Sequence, residues 1–139
     1  MWSYHLTTFA KAYAACFVAM LLADAVWLNV MLSRFYQPRI GHLMAASPNL
    51  LPAVIFYFLY ILGLVVLVVL PSRERNDVYF KTLLFGVLYG LVAYATYDLT
   101  NQATLKDWPL SVTLVDIAWG ASLTGVVSLV SLFAIKRRS

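Results

Sequence analysis

The stretch 50–70, LLPAVIFYFLYILGLVVLVVL, carries no charged side chain and decides the fold class. A helix of this length rises about 1.5 Å per residue and so spans the roughly 30 Å of hydrocarbon in a bilayer. Further apolar windows of similar length lie at 9–32, 80–97 and 110–135. Four such helices would leave a soluble protein almost no amphipathic surface to expose to water. Alternation at a period of two residues is absent, so a β-barrel is not expected.

The composition favours the same fold class. Of the 139 residues, 63% are hydrophobic and only 12% are charged. In an average soluble domain about a quarter of the residues are charged. The sequence therefore predicts a single domain over residues 1–139, an all-α integral membrane bundle of four transmembrane helices.

Basic residues predict how this bundle is oriented. At one end of the windows, which includes both termini and the loop 71–81, the sequence has Lys11, Arg73, Arg75, Lys81, Lys136, Arg137 and Arg138. At the opposite end it has Arg34, Arg39 and Lys106. The positive-inside rule then predicts cytoplasmic N and C termini and outward-facing loops after helices 1 and 3. Because this segregation accounts for the net charge of +4, no nucleic-acid partner is expected.

Two carboxylates lie inside the apolar windows, Asp24 in LLADAVWLN and Asp116 in TLVDIAWGAS. An ionised carboxylate within a bilayer is costly and usually marks a functional site. Helix 1 runs outward to about residue 32 and helix 4 runs inward from about residue 110. At about 1.5 Å per residue, Asp24 lies about 12 Å and Asp116 about 9 Å below the outer surface. The two acids are therefore predicted to share one layer in the outer half of the bilayer.

Aromatic side chains are predicted to surround this layer. Trp27 and Trp119 each follow an aspartate by three residues, which places each on the helix face of its own acid. Helices 2 and 3 bring tyrosines to the same depth, at Tyr57, Tyr60, Tyr94 and Tyr97. We expect these side chains to form the wall of a ligand pocket, because such pockets combine aromatic walls with a few converging polar groups.

The most polar run, 97–109 with the sequence YDLTNQATLKDWP, follows the third window. It is predicted to form an outer lid in which Asp98 and Asn101 cap helix 3 or reach into the polar layer. Trp108 is predicted to be an anchor at the membrane interface. In the other outer loop, 33–49, a short interfacial helix is expected.

The complete predicted ligand-binding set is Asp24, Trp27, Tyr57, Tyr60, Tyr94, Tyr97, Asp98, Asn101, Asp116 and Trp119. No metal site is predicted, because His5 and His42 lie near opposite membrane surfaces and Cys16 is the single cysteine. No nucleotide-binding motif is present, so any cofactor is left unknown. Small residues four apart, such as Gly86 and Gly90, predict close helix packing inside the bundle or, alternatively, a homo-oligomer or a partner membrane subunit.

Four segments, ADAVWL, FYFLYILG, YDLTNQATLKDWP and DIAWG, together resemble a bacterial family of small four-helix integral membrane proteins. That family is defined only as a predicted membrane protein with a domain of unknown function. The resemblance covers nearly the whole chain and implies a multi-pass protein of the bacterial inner, or cytoplasmic, membrane. It implies no activity, no catalytic residue and no cofactor.

Three functions and one structural role remain open on this sequence. The first is binding of a lipid or another amphipathic small molecule in the outer pocket. The second is an enzyme acting on a lipid-like substrate, with Asp24 and Asp116 as candidate catalytic residues that form an acid/base pair. Proton or cation transport is third, because the cytoplasmic half is expected to lack polar groups. Alternatively, the acids serve only as hydrogen-bonding links between helices.

Overall fold

The computed structural model describes residues 2–136, with side chains described from 5 to 136. Helix α1 comprises Trp2–Met31 and continues through Leu32–Tyr36, Gln37–Ile40 and Gly41–Leu43. Helix α2 comprises Leu50–Leu64, Val65–Val69 and Leu70–Ser72. Helix α3 is Val78–Thr104, and helix α4 is Leu110–Lys136. Each of these four is long and apolar enough to cross a membrane, and residues 2–136 contain no strand. The predicted all-α bundle of four spanning helices is confirmed. Arg137 and Arg138, which contribute to the predicted orientation, lie outside the described residues.

Short connections join the helices, so successive helices run in opposite directions. Connections 44–49 and 105–109 lie at one end of the bundle, which we call the pocket end. The connection 73–77 lies at the other, which we call the termini end. At the pocket end, the side chain of Asn49 accepts a hydrogen bond from the Leu51 amide at 3.1 Å and so caps the start of α2.

Helix α1 does not end near residue 32, as predicted, but continues to Leu43. A π-helical turn, Leu32–Tyr36, precedes Pro38, which lies in the first turn of the following α-helical segment. Proline lacks an amide hydrogen and its ring crowds the preceding turn, and a wider π turn accommodates both without breaking the helix. The expected separate interfacial helix in 33–49 is therefore a continuation of α1. It buries Tyr36 and Ile40 against Trp108 and Val112.

Helix α3 also exceeds its predicted end at Tyr97 and continues to Thr104. The segment 97–104 holds neither glycine nor proline, and the Thr104 hydroxyl donates to the Thr100 carbonyl at 2.8 Å within the helix. The predicted lid over 97–109 is therefore wrong in its first part, since only 105–109 forms a connection. As a result, Asp98 lies inside a helix rather than at its cap.

The closest helix packing is between α3 and α4, and small residues permit it. A β-carbon added at Gly86 would lie 3.1 Å from the Gly125 α-carbon, and one added at Gly90 would contact the Gly120 carbonyl oxygen and Thr124. Backbones approach closely only where side chains are this small. The predicted small-residue packing within the bundle is therefore found at these glycines.

This contact gives a stability prediction. We expect Gly86→Ala to lower the free energy of unfolding by about 1–3 kcal/mol, because the new methyl group meets the α4 backbone, which cannot move aside cheaply. Thermal unfolding in mild detergent measures the effect. Gly41→Ala is the matched control, because its nearest neighbour would be the Gln37 β-carbon at 3.9 Å. Equal melting temperatures for both variants would contradict the packing described here.

Helix α2 packs against the other helices mainly through its half nearer the termini end. Its segment Val65–Val69 contacts α1, α3 and α4, and Ile61 and Leu64 are fully buried. Toward the pocket end, by contrast, Leu51 and Leu59 are 65% and 63% exposed. The pocket-end half of α2 therefore presents an apolar surface to its surroundings.

Candidate functional site

A pocket of about 270 Å³ opens at the pocket end of the bundle. All four helices and the 105–109 connection contribute to its wall. Its polar groups are the carboxylates of Asp24 and Asp116 together with tyrosine hydroxyls and tryptophan N–H groups. We call this cavity the aromatic pocket. The predicted shared layer of the two acids therefore corresponds to one cavity in the structure.

Asp24 of α1 connects three helices through its two carboxylate oxygens. The Tyr57 hydroxyl of α2 donates to Oδ2 at 2.7 Å, and the Trp119 indole N–H of α4 donates to Oδ1 at 3.1 Å. Asp24 is only 8% exposed, so these donors replace water around the carboxylate. Both donors are neutral groups, and neither balances the charge of an ionised Asp24.

The rings of Trp27 and Trp119 stack across the interface of α1 and α4. Their centroids are 4.1 Å apart and their planes differ by 9°. The spacing of three residues predicts that each tryptophan covers the aspartate of its own helix, but neither indole donates a hydrogen bond to that aspartate. Trp119 donates to Asp24, while the Trp27 indole donates to the Tyr36 hydroxyl at 3.0 Å. The Trp119 bond therefore links α4 to α1, whereas the Trp27 bond stays within the extended α1.

Asp116 of α4 lines the aromatic pocket and also interacts with a second acid. The Tyr36 hydroxyl donates to its Oδ1. The carboxyl group of Asp98 also lies within hydrogen-bonding reach of Asp116. Asp98 is fully buried, and neither of its oxygens has a donor among the described residues. A hydrogen bond joins the two acids only when one of them holds a proton, because two ionised carboxylates repel each other.

Comparison with known families gives one match. A family model described as "Predicted membrane protein (DUF2177)" matches residues 9–133, from α1 to the last turns of α4. The chain belongs to the DUF2177 family. With its four apolar spans, this DUF2177 member is a multi-pass membrane protein, and the resemblance noted in the sequence is confirmed. No curated protein and no solved structure matches it significantly.

Most of the predicted site residues of this DUF2177 member line the aromatic pocket: Asp24, Trp27, Tyr57, Tyr94, Tyr97, Asp116 and Trp119. Three others do not. Tyr60 turns toward α4, with its hydroxyl 2.7 Å from the Thr124 hydroxyl, and Asp98 is fully buried next to Asp116. Asn101 lies one turn beyond Tyr97 on the extended α3 and interacts with the Tyr97 hydroxyl. The predicted capping role of Asp98 and Asn101 is thus replaced by positions within α3.

Some lining residues of the pocket were not predicted. Tyr36, Ile40 and Met44 come from the part of the chain expected to be a loop. Trp108, predicted as an interfacial anchor, is 9% exposed and donates to the Thr113 hydroxyl at 3.1 Å. The available signal was that 33–40 contains one helix-disrupting proline and no glycine.

A second cavity of about 380 Å³ lies between the pocket-end halves of α2 and α3. Phe56, Tyr60, Ala93, Tyr94 and Tyr97 line it, and its surface is almost entirely apolar. We call it the side hollow. Because Tyr94 and Tyr97 also line the aromatic pocket, the two cavities share a wall.

Buried hydroxyl groups also occur toward the termini end of the DUF2177 bundle. Thr124, Ser128 and Ser131 of α4 are all buried, so the expectation that this half lacks polar groups is wrong. Ser128 donates to the Thr124 carbonyl at 2.7 Å, and Ser131 donates to the Ala12 carbonyl at 2.8 Å. Their protons are therefore engaged by backbone carbonyls of the helices.

Proposed function

We propose that this DUF2177 member binds an amphipathic molecule, with its polar head in the aromatic pocket and its apolar chain in the side hollow. The observation that carries the proposal is the adjacency of the two cavities across Tyr94 and Tyr97. One is lined by carboxylates and aromatic rings, the other almost only by apolar groups. A head and a chain on one molecule require such a pair of surfaces. A membrane lipid is the first candidate.

Access from the bilayer supports a lipid in particular. The side hollow lies beside the part of α2 whose apolar side chains, such as Leu51 and Leu59, are mostly exposed. In a membrane these side chains contact lipid, because water is absent from the hydrocarbon region. A chain from a neighbouring lipid therefore enters between α2 and α3 without crossing water.

The charge distribution supports an orientation with the aromatic pocket facing outward. Arg73 and Arg75 lie in the connection at the termini end, beside Lys81 in the first turn of α3. Cytoplasmic loops carry such an excess of basic residues. We therefore propose that the protein resides in the bacterial inner membrane with both termini in the cytoplasm and the pocket toward the outer leaflet.

Lipid retention during purification tests this function. We expect the parent protein, extracted in mild detergent, to keep a stoichiometric lipid or amphipathic molecule that mass spectrometry detects. Leu32→Trp should abolish this retention, because Leu32 lines the aromatic pocket and a larger ring would fill it. Leu6→Trp is the matched control, since Leu6 is 69% exposed on the same helix near the termini end. Absence of any bound molecule, or equal retention in the two variants, would contradict the proposal.

A second candidate is an enzyme that acts on a lipid-like substrate with Asp24 and Asp116 as the acid/base pair. Support comes from their presence in one pocket with different partners, two neutral donors at Asp24 and a second acid at Asp116. Incubation with a membrane lipid extract, followed by product analysis, tests this alternative. New products that disappear in Asp24→Asn and Asp116→Asn would favour the enzyme over a binding protein.

A further inference from the structure

We infer that the molecule in the aromatic pocket carries a positively charged ammonium group. The inference rests on the proposed binding function and specifies the chemistry of the ligand's head. Its first support is the sign of the charged groups in the wall. Asp24 and Asp116 line the aromatic pocket, whereas none of its described lining residues is a lysine, arginine or histidine.

The basic residues at the pocket end of the bundle lie outside the lining of the aromatic pocket. The Arg39 guanidinium donates to the Phe35 carbonyl at 3.1 Å and lies 4.1 Å from the centre of the Phe35 ring. His42 lies 3.5 Å from the exposed Asp107 carboxylate. Arg34 and Lys106 are exposed and lie outside the lining of the pocket. Among the described residues, the hydrogen bonds to Asp24 and Asp116 come from neutral hydroxyl and indole groups.

A third acid, Asp98, makes a cation in the pocket more favourable. Asp98 is fully buried, lacks a donor among the described residues, lies outside the lining of the aromatic pocket and is within hydrogen-bonding reach of Asp116. Negative charge at Asp116 is therefore opposed by a neighbouring carboxyl group, and none of the described residues that line the pocket carries a positive charge to balance it. A cation in the pocket would supply the missing favourable interaction, because charges removed from water require a partner.

The aromatic walls select an organic cation. Trp27, Trp119, Trp108 and Tyr97 expose rings to the same cavity that holds the acids. The negative face of an aromatic ring attracts an ammonium group, and aromatic cages are the usual receptors for ammonium ligands. A primary ammonium also has three N–H donors, which the free lone pairs of Asp24 and Asp116 can accept. A molecule with an ammonium head and an apolar chain therefore matches both cavities, the head in the aromatic pocket and the chain in the side hollow.

The ammonium group has two possible sources, a lipid headgroup or a soluble amine, and one experiment separates them. The protein is reconstituted in an equimolar mixture of phosphatidylethanolamine and phosphatidylglycerol with identical acyl chains, and the lipid that remains after extraction is identified by native mass spectrometry. In parallel, soluble ethanolamine is titrated into protein held in phosphatidylglycerol alone, and tryptophan fluorescence is recorded. Three of the four tryptophans, Trp27, Trp108 and Trp119, line the pocket and contribute to this fluorescence.

We expect phosphatidylethanolamine to be retained at least about 10-fold more than phosphatidylglycerol, which is the effect of one charge-assisted hydrogen bond. Asp116→Asn and Asp24→Asn should each reduce that preference by about 10-fold while lipid is still retained. Asp77→Asn should leave the preference unchanged, because Asp77 lies in the connection at the termini end. A fluorescence response to ethanolamine that matches the lipid preference would identify a soluble amine as sufficient.

The outcomes separate this inference from the proposed function. Retained lipid without a headgroup preference would overturn the ammonium inference and leave lipid binding intact. Retention of phosphatidylglycerol in excess would do the same. If no lipid is retained and ethanolamine gives no response, both the binding function and the inference fail. Persistence of the preference in both aspartate variants would also overturn the inference.

Discussion

We expect Asp24→Ala to destabilise the bundle strongly. The substitution removes the acceptor for both the Tyr57 hydroxyl and the Trp119 indole, which would then lie without a partner between α1, α2 and α4. A buried donor left without an acceptor costs about 1–3 kcal/mol, and here two partly buried donors that line the pocket are affected. Thermal or denaturant unfolding in mild detergent, followed by circular dichroism, measures the loss.

Asp24→Asn is the matched control for this prediction. Asparagine has nearly the same shape and keeps one carbonyl oxygen, which the Trp119 indole can still approach. The Tyr57 hydroxyl can then accept a hydrogen bond from the new amide. We therefore expect most of the parent stability to return. If alanine and asparagine give the same stability, the link between the three helices through Asp24 is energetically unimportant.

Whereas Asp24→Ala should destabilise the protein, Asp98→Asn should stabilise it. We expect Asp98→Asn to raise the free energy of unfolding at neutral pH by about 1.5–3 kcal/mol. Asp98 has no donor among the described residues and contacts the Asp116 carboxyl group. The asparagine amide would supply a permanent donor to Asp116 and would remove one of two carboxyl groups in contact. Unfolding in the same detergent, at the same pH, measures the gain.

Asp107→Asn is the control for Asp98→Asn, because Asp107 is 70% exposed in the 105–109 connection. Its replacement should change stability by less than about 0.5 kcal/mol. A clear loss of stability in Asp98→Asn would show that Asp98 interacts favourably as an acid, and the account of its missing partner would be wrong.

Much of this fold could be predicted because hydrophobicity and helix rise are local properties. The uncharged stretch 50–70 and the three other apolar windows correspond to the four spanning helices. Depth followed from counting residues inward from the helix ends, and that count brought Asp24 and Asp116 to one level. The same count placed Trp27 and Trp119 near that level, and in the structure their rings stack between α1 and α4.

The remainder depended on tertiary contacts that the sequence pattern does not contain. Polar residues after Tyr97 predict a loop, yet α3 continues to Thr104 because no glycine or proline ends it. Burial of Asp98 against Asp116 follows from that extension. The π turn before Pro38 likewise prolongs α1 and brings Tyr36 to Asp116. Neither local polarity nor helix periodicity specifies such a turn.

The most direct test of the binding site is an experimental structure of the protein in lipid nanodiscs that contain phosphatidylethanolamine. The account predicts density for one amphipathic molecule, with its head beside Asp24, Asp116 and the stacked tryptophans and its chain between α2 and α3. A collapsed aromatic pocket, with Tyr57 and Trp119 in the same hydrogen bonds and no molecule in either cavity, would contradict it.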